Sequence, residues 1–158
     1  MKQKITTWLW FDGQAEEAAK YYTSIFKNSS IDNVMRYGPG APLPEGTVLT
    51  ASWTIEGKQF VGLNGGPQFK PSEAVSFFVD CNSQEEVDYY WNKLTEEGEE
   101  SQCGWLKDKY GISWQIIPSI LGELLQNKDR AKAGRAMQAM LKMRKIDIAK
   151  LKEAAGDA

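Results

Sequence analysis

WFDGQAEEAAKYY (residues 10–22) and FVDCNSQEEVDYYW (residues 78–91) are two versions of one phrase. Each runs from an aromatic strand end through Asp12 or Asp80 to paired glutamates, Glu16-Glu17 or Glu85-Glu86, and then to paired tyrosines. One inserted residue separates the two versions, and their spacing of about seventy residues marks an internal repeat of supersecondary size. In the first copy Ala15, Ala18, Ala19, Tyr22, Ile25 and Phe26 recur at three and four, which predicts an amphipathic helix, and the glutamates suit its first turn.

Around this helix the pattern is that of strands. KITTWLWFDG is rich in β-branched and aromatic residues and predicts a strand from Ile5 to Phe11. SSIDNVMRYG predicts another, and GPGAPLPEG (38–46) is a loop that cannot hold regular structure. TVLTASWTIEG and KQFVGLNGG then form a hairpin across Glu56-Gly57, where Gly57 supplies a positive φ. The order is βαβββ. In the second copy EAVSFFVDC predicts a strand before the helix, and Gly98 suits the helix stop. Strands follow over Gln102–Lys107 and Ser113–Ile117, with a turn at Tyr110-Gly111, a stop at Pro118, and a further short strand near Glu99–Gln102. From Ser119 the chain is helical in three pieces, the second capped by Asp129. Its Met137, Met140 and Leu141 form a stripe expected to pack on its own domain, while a role as a basic helix for a partner groove is the alternative.

Composition narrows the chemistry. The chain has 158 residues, a net charge of −2, and six each of Trp, Tyr and Phe, so a folded core is expected and no global basic field exists for nucleic acid or an anionic membrane. Neither partner is expected. The first residues lack a signal peptide's apolar run and cleavage site, and no segment reaches the length of a membrane span, so a cytoplasmic location is expected. Cys81 and Cys103 form no Cys-x-x-Cys pair and read as buried free thiols. There is no histidine, which excludes Ser-His-Asp and Cys-His catalysis and the His-bearing metal sites. FVGLNGGP (60–67) ends a strand in Asn64-Gly65-Gly66-Pro67, and this reads as a turn rather than a phosphate cradle because no helix follows it.

Two βαβββ copies of this kind resemble the vicinal oxygen chelate superfamily of glyoxalases, extradiol dioxygenases and bleomycin-resistance proteins. WFDGQAEEAAKYYTSIF, LNGGP, AVSFFVDC, CGWLKDKYGISWQIIP and AMLKMRKIDIAKL resemble its PhnB-like branch in particular, whose members often carry the name 3-demethylubiquinone-9 3-methyltransferase. The resemblance covers most of residues 4–152. It implies an α+β fold: two βαβββ modules, over about 4–68 and 73–118, whose curved mixed sheets enclose a cavity in one domain of residues 1–118. Helices over 119–158 would pack on that domain or on a dimer partner, and the resemblance implies a homodimer, with module exchange left open.

The resemblance also locates a site. Thr6 and Ala74 stand where the metal enzymes have His, Gln115 where they have Glu, and Val61 at the matching place in the first module, so neither a metal nor any other cofactor is expected. If Thr6 points into the cavity, alternation brings Trp8 and Trp10 with it, and the repeat adds Ser76 and Phe78. Trp105, Gln115 and, at a strand end, Asn64 complete the candidate ligand-binding set. These aromatics are equally readable as core. The expected function is a metal-free binding module for an aromatic or apolar small molecule; the alternatives are an enzyme of the superfamily, a lyase, an isomerase or the named methyltransferase, using non-histidine acid/base residues, and an adaptor built on the basic helix. No catalytic residue is assigned.

Overall fold

The computed structural model describes residues 3–157. The chain divides into two units, Met1–Lys70 and Pro71–Ala158. The first holds β1 (Thr7–Phe11), α1 (Ala15–Ile25), β2 (Ser29–Arg36), β3 (Val48–Ile55) and β4 (Lys58–Asn64). The second holds β5 (Ser76–Cys81), α2 (Gln84–Thr95), β6 (Glu99–Glu100), β7 (Trp105–Lys107) and β8 (Ser113–Pro118), followed by α3 (Ser119–Leu125), α4 (Arg130–Leu141) and α5 (Ile148–Ala155). The sheets run β1-β4-β3-β2 and β5-β8-β7-β6, the same order twice, with the outer pairs β1–β4 and β5–β8 parallel and the rest antiparallel. The repeat read in the sequence is thus a repeat of topology, and both sheets are mixed and open.

In the first unit α1 presents Ala15, Ala18, Ala19, Tyr22 and Ile25 to the sheet. Small residues bring the helix close: a Cβ on Gly62 would lie 3.0 Å from that of Ala15. Tyr22 stacks on Trp53 and Trp53 on Phe60, at 5.5 and 5.9 Å between ring centroids, so three large aromatics form the middle of this core. Gln14, before the helix, gives no side-chain cap; Asn64 Oδ1 accepts from Ala15 N instead, at 2.9 Å. The β3–β4 turn places Glu56 (φ 48°) as well as Gly57 (φ 78°) in the left-handed region, the geometry that matches strand twist in a two-residue hairpin.

In the second unit Ser83 caps α2 by accepting from Glu86 N, while Glu86 Oε1 accepts from Asn82 N. Val87, Trp91 and Leu94 are its buried residues. Between β7 and β8 the buried Asp108 takes three donors: the backbone N–H groups of Tyr110 and Ile112 at 2.9 and 3.1 Å, and Trp114 Nε1 at 2.9 Å. One carboxylate thus fixes the turn and orients the largest side chain of β8. The C-terminal helices close a further core of Ile117, Leu121, Leu124, Ala136, Ile146, Leu151 and Ala155.

Several sequence expectations shift here for physical reasons. β1 begins at Thr7 rather than Ile5, whose side chain is 91% exposed. β7 begins only at Trp105, because Cys103 and Gly104 take φ of 59° and 83° and turn their N–H groups to Met143 O and Arg144 O. Glu97, not Gly98, takes the left-handed conformation after α2. Gly98 is there for space, since a Cβ on it would come within 2.2 Å of Lys107 O. On α4 the buried phase is Ala133 and Ala136, with Met140 packed against the C-terminal core; Met137 and Leu141 stay exposed, so the expected stripe is split. Cys81 is buried, whereas Cys103 is only half-buried. Among the described residues no helix is long and apolar enough to cross a membrane.

Two outcomes are expected. Asp108→Ala strands three donors and should cost about 3 kcal/mol, read as a melting temperature lower by roughly 8 °C. Burial, helped by the Glu86 and Asp80 charges, pushes the Cys81 thiol up to about 12 from 9.0. The unfolded chain therefore loses this proton first, so the stabilisation is complete below that ordinary value and is lost as pH rises through the folded one. Urea unfolding at about pH 8 and about pH 10.5 should show a decline that Cys81→Ala reduces.

Candidate functional site

Alternation along the strands gives each sheet two faces. In the first unit Phe11, Ala51, Trp53, Ile55, Phe60 and Gly62 are buried on the side that α1 covers. The other side carries Trp8, paired in the ladder with Val61, which pairs with Ser52. In the second unit Cys81, Leu106, Trp114 and Ile116 are buried on the α2 side. The open side carries a row formed by Phe78, Gln115 and Trp105, neighbours across β5, β8 and β7. Beside it runs a row of Ser76, Ser113 and Lys107.

Val61 and Gln115, which the resemblance sets at matching places on the last strands, have Trp8 and Phe78 as their parallel partners. Thr6 lies just ahead of β1 and Ala74 just ahead of β5. Both aromatics are solvent-exposed, Trp8 by 57% and Phe78 by 58%.

Seven of the eight candidate residues stand on or beside these open faces, in two groups. Thr6, Trp8 and Trp10 belong to the first unit; Ser76, Phe78, Trp105 and Gln115 belong to the second. Trp8 Nε1 donates to Thr6 Oγ1 at 3.0 Å, which anchors the exposed indole at its edge. Trp10 is engaged by its own chain: Nε1 donates to Gly66 O at 2.8 Å, Phe69 meets the ring edge-on at 4.9 Å, and a Cβ on Gly65 would lie 2.2 Å from the ring. Asn64 shares the face of Phe60 and Gly62, and its amide is used at both ends, accepting from Ala15 N and donating to Val48 O at 3.1 Å. It joins β4, α1 and β3 rather than the open face.

Gln115 Nε2 donates to Ser76 Oγ at 2.9 Å, which leaves the amide oxygen and the Ser76 hydroxyl proton for another partner. Lys107 forms an ion pair with Glu73, which holds the Glu73 carboxyl below its ordinary range and the lysine above its own. Ser113 Oγ is buried without a hydrogen-bond partner. Sequence reasoning missed Lys107 and Ser113, although the period of two that selected Trp105 and Gln115 leads to both.

The residues do not fit a divalent metal. Thr6, Val61, Ser76 and Gln115 offer hydroxyls, a methyl surface and one amide oxygen, with no carboxylate or imidazole. Among the described residues no three His, Cys, Asp or Glu side chains gather as a metal set.

Two clefts of the second unit lie elsewhere and include none of the eight candidates. One, of about 480 Å³, runs past Cys81, Ser119, Ile120, Asp147, Ile148 and Lys152 at the ends of β5 and β8. Ser119 Oγ donates there to Asp80 Oδ1 at 2.8 Å. The other, of about 430 Å³, has a polar lining that includes Asp88, Lys142, Arg144 and Lys145. A hydrogen bond from Gln84, with Lys145 beside it, holds the Asp88 carboxyl below its ordinary range.

Residues 3–117 match the family described as 3-demethylubiquinone-9 3-methyltransferase. Among solved structures, a Bacillus cereus PhnB protein, described as a putative 3-demethylubiquinone-9 3-methyltransferase, is 39% identical, covering 74% of this chain and all of its own, with a TM-score of 0.68. Protein PA1353 of Pseudomonas aeruginosa is 17% identical over 74% of this chain and 98% of its own, with a TM-score of 0.61. The fosfomycin resistance protein FosX of Listeria monocytogenes is 13% identical over 78% and 98%, with a TM-score of 0.51, a likeness of fold alone. No curated protein matches. With the doubled βαβββ topology, the match over residues 3–117 and the 39% identity to a PhnB protein, the chain belongs to the PhnB-like 3-demethylubiquinone-9 3-methyltransferase family.

Proposed function

We propose that this PhnB-like protein is a binding protein for a small planar or apolar molecule, held on the open sheet faces without a metal. The observation that carries this reading is the pair Trp8 and Phe78: two large aromatics on the first strands of the two repeats, each paired with the last strand, each more than half exposed, on faces turned away from the packed helix. Large exposed aromatics on a sheet are a liability unless something covers them, and a flat ligand is suited to do so. Gln115 beside Phe78 supplies the directional polar contact that such sites use.

The family's description names a methyl transfer, but the turns of this chain do not fit a nucleoside-type methyl donor. Such a donor is commonly held on a Gly-rich strand-to-helix turn. Here β1 reaches α1 through Asp12-Gly13-Gln14, β5 reaches α2 through Asn82-Ser83, and β8 runs into α3 directly. The Gly65-Gly66 pair leads to no helix and packs on Trp10.

With 2-naphthamide as a neutral planar probe, calorimetry on untagged protein should show binding that Trp8→Ala or Phe78→Ala weakens roughly tenfold, with no change on adding a chelator. Elemental analysis of the same sample should show no stoichiometric divalent metal. Affinity unmoved by both variants, or a metal whose removal abolishes binding, would overturn the reading.

A further inference from the structure

The open face of the second sheet is divided. The row Phe78, Gln115, Trp105 is flat and largely aromatic, and the adjoining row Ser76, Ser113, Lys107 offers hydrogen-bond donors and a cation. Ser76 Oγ already accepts from Gln115, so its own proton is free to donate. Ser113 Oγ, 1% exposed as a residue, has no partner, and an unsatisfied buried hydroxyl is destabilising unless something else meets it. Beyond Gln115 the strand reaches Ile117, which the C-terminal helices cover; Phe78 and the Lys107–Glu73 pair remain exposed, and the Ser113 hydroxyl lies buried beneath that pair's row.

Resting on the binding reading above, we infer that the ligand is a planar acid: its apolar body lies on Phe78 and Trp105, and its carboxylate or equivalent anion is received by Ser76, Ser113 and Lys107. Glu73 stands in for that anion in the structure. It reaches the row from the segment ahead of β5 and occupies the Lys107 ammonium, with its own side chain 60% exposed and therefore easily displaced. An incoming acid exchanges one carboxylate for another on Lys107. A neutral analogue gains nothing there.

The test compares naphthalene-2-carboxylate with 2-naphthamide by calorimetry on the full chain. The acid should bind more tightly than the amide. Glu73→Gln should tighten acid binding by about threefold to fivefold, the scale of an exposed ion pair, and leave the amide unchanged. Lys107→Met should abolish the preference, Lys107→Arg should keep part of it, and Ser113→Ala should weaken the acid alone. A merely structural ion pair would make Glu73→Gln and Lys107→Met alike, lowering the melting temperature without opposite effects on acid affinity. Equal binding of acid and amide, or a ratio indifferent to Glu73→Gln, overturns this inference and leaves the aromatic binding reading standing. Binding of neither probe, as when a second copy covers the face, overturns both.

Discussion

Parallel pairing of the first and last strand of each repeat, β1 with β4 and β5 with β8, is the constraint on which the rest of the structure depends. The pairing joins residues far apart in the chain, Trp8 with Val61 and Phe78 with Gln115, and so closes a long loop before it gains any contact. What compensates is the helix within that loop. α1 and α2 bury their apolar faces against the sheet of their own unit, and a parallel pair requires such a crossover. The remaining strands pair antiparallel, and both copies share one order.

The same pairing builds the open faces. It turns Trp8 and Phe78 away from their helices and sets Gln115 between Phe78 and Trp105. Because the last strand is central in each sheet, its outward residues have neighbours on both sides, which is how one amide comes to lie between two aromatics. Thr6, Val61, Ser76 and Gln115 on these faces bring hydroxyls, an apolar surface and an amide, groups suited to packing and hydrogen bonding rather than to holding a divalent metal.

Polar groups at the edges of the repeats do structural work that is easily mistaken for function. Asn64 joins three elements with one amide, Asp108 gathers three donors in a turn, and the Trp10 indole holds the segment after β4. In each case a buried polar atom finds its partner within the chain, as burial demands. Ser113 departs from that rule, and it lies on the face where a ligand is proposed.

The sequence by itself determined the doubled βαβββ order, the helices and the Asp129 cap, and the parity that puts Trp8, Phe78, Trp105 and Gln115 on the open sides. These are consequences of local period and local backbone preference, and both are written in consecutive residues. Only the tertiary structure decided that Asn64 caps α1, that Trp10 is engaged by Gly66 and Phe69, that Gly98 is required for space, and that Ser113 and Lys107 complete a polar row. Each of those depends on which distant strand or turn arrives beside the residue, and that is fixed by ladder register and packing rather than by neighbours in the chain.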